Sequence, residues 1–226
     1  MFDILTMFDL IVKETDVSAT DSYPTPEERS EAEQRELRDR ILAAAEAILV
    51  EKGPDKLSVR GIARRISYAP ASLYYYFPDK DSIITAILAR GAQRIGEAIT
   101  RAIEAASDPL DGVRRAFRAY VDLSLERPAL ARLVYLAKRP GPTNLREGAS
   151  GRNPNLVRLA ELAREAQREG TVGDIDVDLV VRSLWTAAQG LVIRLVLDEV
   201  EAGEERDRLI AGYLDLLLNG LKRRDQ

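Results

Sequence analysis

Apolar residues recur at helical spacing through most of the chain. Leu37, Ile41, Ala44, Ala45, Ile48 and Leu49 form one stripe at the 3.6-residue period. Ahead of it, Thr25-Pro26-Glu27-Glu28 reads as a capping box with proline at the first helical position. Gly53-Pro54 closes the stripe, because glycine takes a left-handed cap and proline forbids continuation. The pattern predicts a long helix between about residues 25 and 52. A second helix starts at Ser58, with Val59, Ile62, Ala63 and Ile66 on one face, a Leu57–Ile62 staple, and Arg60, Arg64 and Arg65 outside. Ser67-Tyr68-Ala69-Pro70 breaks it, a short helix carries Ala71 to Tyr76, and Pro78-Asp79 stops that one. Two short helices joined by a tight turn make a helix-turn-helix. Asp79 then caps a long helix reaching about Ser107, with Ile83, Ile84, Ile87, Leu88 and Ile95 inward.

Beyond residue 109 the pattern predicts helices over 110–126, 128–138, 154–169, 176–200 and 204–222, with a Gly/Pro/Asn-rich loop at 139–154. In the last two, Val180, Leu184, Ala187, Ala188, Leu191 and Leu195, and Ile210, Tyr213, Leu214, Leu217 and Leu218, give more apolar surface than one stripe. A helix that needs burial on more than one face suits a dimer interface. The expected fold is all-α: a three-helix helix-turn-helix head at 25–78, joined by a long helix to a dimerising bundle within 79–226. Residues 1–24 read as a variable tail whose Phe2, Ile4, Leu5, Phe8, Leu10 and Ile11 can form a short apolar helix.

Composition narrows the function. With no Cys and no His, the chain lacks disulfides, thiolate metal sites and the commonest general base. No paired-carboxylate motif replaces them, so the sequence reads as neither an enzyme nor a metal or cofactor protein. No run approaches 18 apolar residues, and the first 16 carry acids where a secretory leader carries bases, so a cytoplasmic protein without membrane contact is expected.

Charge is uneven. Residues 52–94 hold eight Lys and Arg against three Asp and Glu, a local +5 on a chain of net charge −4. Such a basic patch on an acidic body is the footprint of a modular nucleic-acid binder, although a solvated charged face gives the same count. Tyr74, Tyr75 and Tyr76 fall about 100° apart around the third helix, so at least one faces away from the core that Leu73 and Phe77 join.

The stretch ILAAAEAILVEKG…LSVRGIARRISYAPASLYYYFPDKDSIITAIL resembles the DNA-binding head of the TetR family of transcriptional regulators over residues 37 to 90. More weakly, ERPALARLVYLAKRP and LWTAAQGLVIRLVLDEV resemble the ligand-binding and dimerising half of members with a Trp-x-x-x-His-Gly signature, here Trp185 and Gln189-Gly190. Three positions depart from the family pattern. Ser67 replaces the turn glycine, Ala69 replaces a capping serine or threonine, and Tyr76 stands where a histidine usually contacts the DNA backbone. Losing the cap costs about 1 kcal/mol, and Gly61 inside the second helix about another 1 kcal/mol.

The resemblance implies a homodimeric repressor that binds an inverted-repeat operator in double-stranded DNA and leaves it when a small-molecule effector, apolar or amphiphilic, binds. A helical protein-interaction module is the alternative reading. By position on the recognition helix, Ala71, Ser72 and Tyr75 would read base edges, with the Ala71 methyl suited to thymine. Lys80 resembles the family's phosphate-binding lysine. With Ser58, Arg60, Tyr74 and Tyr76 these make up the expected DNA-binding set; Tyr74 could instead pack within the head, and Arg64 and Arg65 read better as a solvated face. Phe117, Tyr120, Tyr135, Trp185 and Gln189, with Leu133 and Leu136, are the expected effector walls, and each could equally be core.

Overall fold

The computed structural model describes residues 26–136 and 154–221, with side chains described for 30–134 and 154–221. The tail at 1–24 and nearly all of the 139–154 loop lie outside the described residues. Every regular element within them is helical: α1 (Pro26–Lys52), a 3-10 turn (Pro54–Lys56), α2 (Val59–Ile66), α3 (Pro70–Tyr76), α4 (Lys80–Glu104), α5 (Pro109–Leu125), α6 (Pro128–Leu136), α7 (Pro154–Arg168), α8 (Val177–Leu197) and α9 (Glu204–Asn219). The chain divides into two compact units between Gly91 and Ala92, inside α4.

In the first unit the α1 stripe packs on α2, and α2 on α3. Ile41, Ala45, Ile62, Ala63, Leu73, Phe77 and Ile83 are buried almost completely. Each such leucine, isoleucine or phenylalanine contributes about 1.5–3 kcal/mol of burial, which outweighs the weak propensity of short helices. Ser58 accepts the Gly61 N–H at 3.1 Å and starts α2. A Cβ at position 61 would lie 3.0 Å from the Ser58 Oγ, so the glycine that lowers helix propensity also makes room for the cap. Asp79 Oδ1 accepts the Ser82 N–H at 2.7 Å, while Ser82 Oγ accepts from the Asp79 N–H at 3.3 Å, a reciprocal box that starts α4.

The second unit has one main core. Ile99 and Ile103 of α4 meet Val113 and Phe117 of α5, Leu184 and Val192 of α8, and Ile210 and Leu214 of α9. The α5 helix packs on α6, α7, α8 and α9, so it is the central element. Among the described residues one helix, α8, is long and apolar enough to cross a membrane by length and composition. Its Val181, Leu184, Ala188 and Val192 are buried, and it packs on α5, α6 and α7.

The long helix α4 stops at Glu104 instead of about Ser107, since Asp108 caps the next helix by accepting the Asp111 N–H at 2.8 Å. Likewise α8 ends at Leu197, short of the expected residue 200. Glu199 adopts φ 50°, and the Val200 N–H reaches back to Leu195 O at 3.1 Å, a Schellman closure without glycine. Arg132 of α6 braces that end, donating to Val196 O at 2.9 Å and to Glu199 at 2.8 Å.

Candidate nucleic-acid interface

The α2–α3 turn uses the same device. Ser67 sits at φ 58°, ψ 44°, the left-handed conformation that the sequence pattern reserves for glycine. The Tyr68 N–H bonds to Ala63 O at 2.9 Å and the Ser67 N–H to Arg64 O at 3.3 Å, so the orphan carbonyls of α2 are closed. Arg40 of α1 braces the turn. Its guanidinium lies 5.3 Å from the Tyr68 ring centroid, with one nitrogen 3.5 Å from Ile66 O. At the other side of the turn, Ala69 precedes α3 with no side-chain cap, and only the Ser72 N–H to Ala69 O bond at 3.0 Å and Pro70 at the first position define the start.

Leu73 and Phe77 lock α3 onto the head, and the Arg38 guanidinium covers the Phe77 ring at 4.5 Å. The opposite face is open. Ala71 and Ser72 are exposed, Tyr75 is 79% and Tyr74 52% exposed, and Tyr76 is half-buried with its ring edge-on to Tyr75 at 5.3 Å. At this exposure Tyr74 fits both expectations, a ring open to DNA and a ring packed against the head with its tip free.

Ser58, Arg60, Tyr74 and Lys80 line a single open depression together with Pro78 and Asp79. The ammonium of Lys80 is anchored there, donating to Pro54 O at 2.7 Å. Arg60 has no acidic partner among the described residues, whereas Arg65 is held bidentately by Glu51 at 2.6 and 2.8 Å. That hydrogen bond from Arg65 holds the Glu51 carboxyl below its ordinary range. Arg90 pairs with Asp39 at 3.0 Å and lies 3.8 Å from Glu46. Part of the basic excess is therefore spent on α1, and the cations around α3 are fewer than the sequence count suggests. Arg38, Arg40, Asp39 and Glu51 were not singled out in the sequence, because their partners are remote along the chain.

In the second unit an apolar cavity lies among α4, α5, α7 and α8. Phe117, Tyr120 and Trp185 are in its wall, with the Tyr120 and Trp185 rings 4.6 Å apart. Gln189 does not line it, because α8 turns Trp185 and Ala188 inward and leaves Gln189 to one side. The side chains of Tyr135 and Leu136 lie outside the described residues, and Leu133 is half-buried away from the wall. Leu159, Ala163, Val172 and Ile175 are also in the wall, beside aliphatic residues of α4, α5 and α8 such as Ile99, Val113 and Leu184, and were missed, since plain amphipathic helices and a loop give no aromatic signal.

A short exposed helix seated on a capped partner by two buried side chains defines a helix-turn-helix head of the DNA-binding regulator class. The family model for bacterial regulatory proteins of the tetR family matches residues 41–87, from mid α1 into α4. The chain is 26% identical over 199 residues to the HTH-type transcriptional regulator UidR of Escherichia coli K12, covering 84% of this chain and 95% of that protein. It is 40% identical over 76 residues to the HTH-type transcriptional repressor KstR of Mycolicibacterium smegmatis, covering 34% of this chain and 37% of that one. A TetR-family transcriptional regulator from Pectobacterium atrosepticum superposes with TM-score 0.64 at 22% identity, over 86% of this chain and 98% of that one. The chain belongs to the TetR family of DNA-binding transcriptional regulators.

Proposed function

We propose that the chain is a repressor that binds an inverted-repeat operator as a homodimer and is released by a small molecule. Its head (25–78) is the DNA-binding domain, and 79–226 binds the effector and dimerises. The observation that carries the first part is the convergence of Ser58, Arg60, Tyr74 and Lys80 on one depression beside the open face of α3. Lys80 and Arg60 supply phosphate contacts, the tyrosines lay ring on sugar and hydroxyl on phosphate, and Ala71, Ser72 and Tyr75 read bases. Such a protein works in the cytoplasm, where its DNA is, and it has no catalytic step.

Dimerisation is supported by the last two helices. On α9 Ile210, Leu214 and Leu218 are buried, while Leu209 and the 72% exposed Leu216 share another face with Gly212 between them. On α8 the exposed Leu179 and Leu197 flank Ser183, Thr186 and Gly190, small residues that allow close helix approach. Twofold symmetry in the protein then requires twofold symmetry in its site.

Release follows from linkage. The effector shifts the dimer between DNA-competent and incompetent forms only by its differential affinity, and near-complete switching needs about 5.5 kcal/mol of preference. One continuous helix, α4, includes both Lys80 and the cavity residue Ile99, which makes it the candidate lever. Selection of bound genomic fragments by the purified protein, followed by footprinting, tests the reading. A protected inverted repeat is expected; protection of an unrepeated half-site, or binding without sequence preference, overturns it.

A further inference from the structure

The cavity of the second unit restricts its ligand by charge. Among the described residues, every side chain in its wall is hydrocarbon or aromatic, and the heteroatoms they bring are the Tyr120 hydroxyl and the Trp185 indole nitrogen. Several cations on the surrounding helices are engaged elsewhere. On α5, Arg114 pairs with Asp215, Arg115 with Asp111, and Arg118 with Asp122 and Asp207; on α7, Arg164 pairs with Asp178. None of them lines the cavity. Gln167, which reaches the Gly173–Ile175 segment, spends its amide on Gly173 O, Asp174 and Ile175 O.

We infer that the ligand of this cavity is an uncharged apolar molecule, and that ionised carboxylates and ammonium compounds are excluded. This rests on reading the cavity as the effector site and narrows that reading from apolar or amphiphilic to neutral. An ion taken into such a wall loses its hydration and gains no partner, so it binds only after neutralisation. The cavity as it stands holds about 40 Å³, space for roughly one or two waters. A larger ligand therefore enters by parting packed side chains. The Tyr120–Trp185 contact lies in that wall, so binding changes the environment of Trp185, the only tryptophan.

The test uses the full chain and three probes of equal chain length: decan-1-ol, decanoate and decylamine, each below its aggregation limit. Trp185 emission and melting temperature report binding, and anisotropy of a labelled operator reports release. Decanol is expected to saturate both binding signals. Decanoate at pH 8 is expected to bind roughly a thousandfold more weakly, its affinity falling about tenfold per pH unit above its carboxyl pKa. Decanoate matching decanol with no pH dependence, or saturable binding of decylamine, overturns the inference, as does the absence of a saturable response to decanol. If decanol binds but the operator stays bound, the release reading fails while the neutral site stands. Ala163→Leu, which fills the cavity, is expected to abolish the decanol response, and an intact response overturns the placement. Should that variant fail to fold, acrylamide quenching of Trp185 replaces it: decanol beside the ring lowers the quenching constant, and unchanged quenching overturns the placement.

Discussion

The Arg40 guanidinium covers the Tyr68 ring at 5.3 Å and reaches Ile66 O at 3.5 Å, so one side chain of α1 braces both sides of the left-handed Ser67. A cation over an exposed ring contributes about 0.5–1 kcal/mol. Arg40→Ala is expected to destabilise the head by about that amount and to weaken specific operator binding, with the salt slope unchanged. A flatter salt slope would instead make Arg40 a phosphate contact.

Ser67→Gly removes the left-handed penalty of roughly 1–2 kcal/mol, offset in part by the extra freedom glycine gives the unfolded chain. The net expectation is a stabilisation of about 0.5–1 kcal/mol, together with partial rescue of Arg40→Ala in a double-mutant cycle. Ala69→Ser restores the missing cap and is expected to add about 1 kcal/mol. Chemical denaturation of the four variants checks both; no gain from either would mean the turn is set by packing alone.

Lys80→Ala should weaken binding to all DNA sequences about equally and reduce the salt slope by roughly one unit, whereas substitutions at Ser72 or Tyr75 should change the preferred base at one position. Competition binding at several salt concentrations separates the two classes. Uniform loss from both would remove the distinction between positioning and reading.

The Glu51 carboxyl titrates below its ordinary range because Arg65 donates to it. A depressed folded pKa gives stability that is present above the unfolded value and lost as pH falls through the folded one. Melting temperature should therefore fall on acidification from just above pH 4.5 downward. Glu51→Gln should flatten part of that slope and leave the rest to other carboxylates such as Asp111, lowered mainly by the Arg115 hydrogen bond. Because the pair is exposed, added salt should shrink the difference between variant and parent.

Leu216→Arg puts a charge on the exposed face of α9 and leaves Ile210, Leu214 and Leu218 in the core. Sedimentation should then give a monomer with unchanged helicity and much reduced operator affinity. A dimer of unchanged affinity would place the interface elsewhere.

The sequence by itself determined the all-helical class and the order of the helices, because amphipathic periods, Pro at first turns and Asp or Ser caps act within a few residues along the chain. It determined the head for the same reason: Leu73 and Phe77 bracket α3, and Ser58 and Asp79 cap α2 and α4. Only the tertiary structure decided that α8 stops short of residue 200, since Glu199 takes a left-handed conformation beside Arg132, 67 residues away along the chain, and it set Arg40, 27 residues from Ser67, against the turn that the sequence already placed there. It also decided which charges are spent, setting Arg65 and Arg90 on acids of α1, and which residues wall the cavity, adding Leu159 and Ala163 and leaving out Gln189. Those outcomes depend on side chains brought together by packing, and neither periodicity nor local spacing encodes the distance between residues that far apart in the chain.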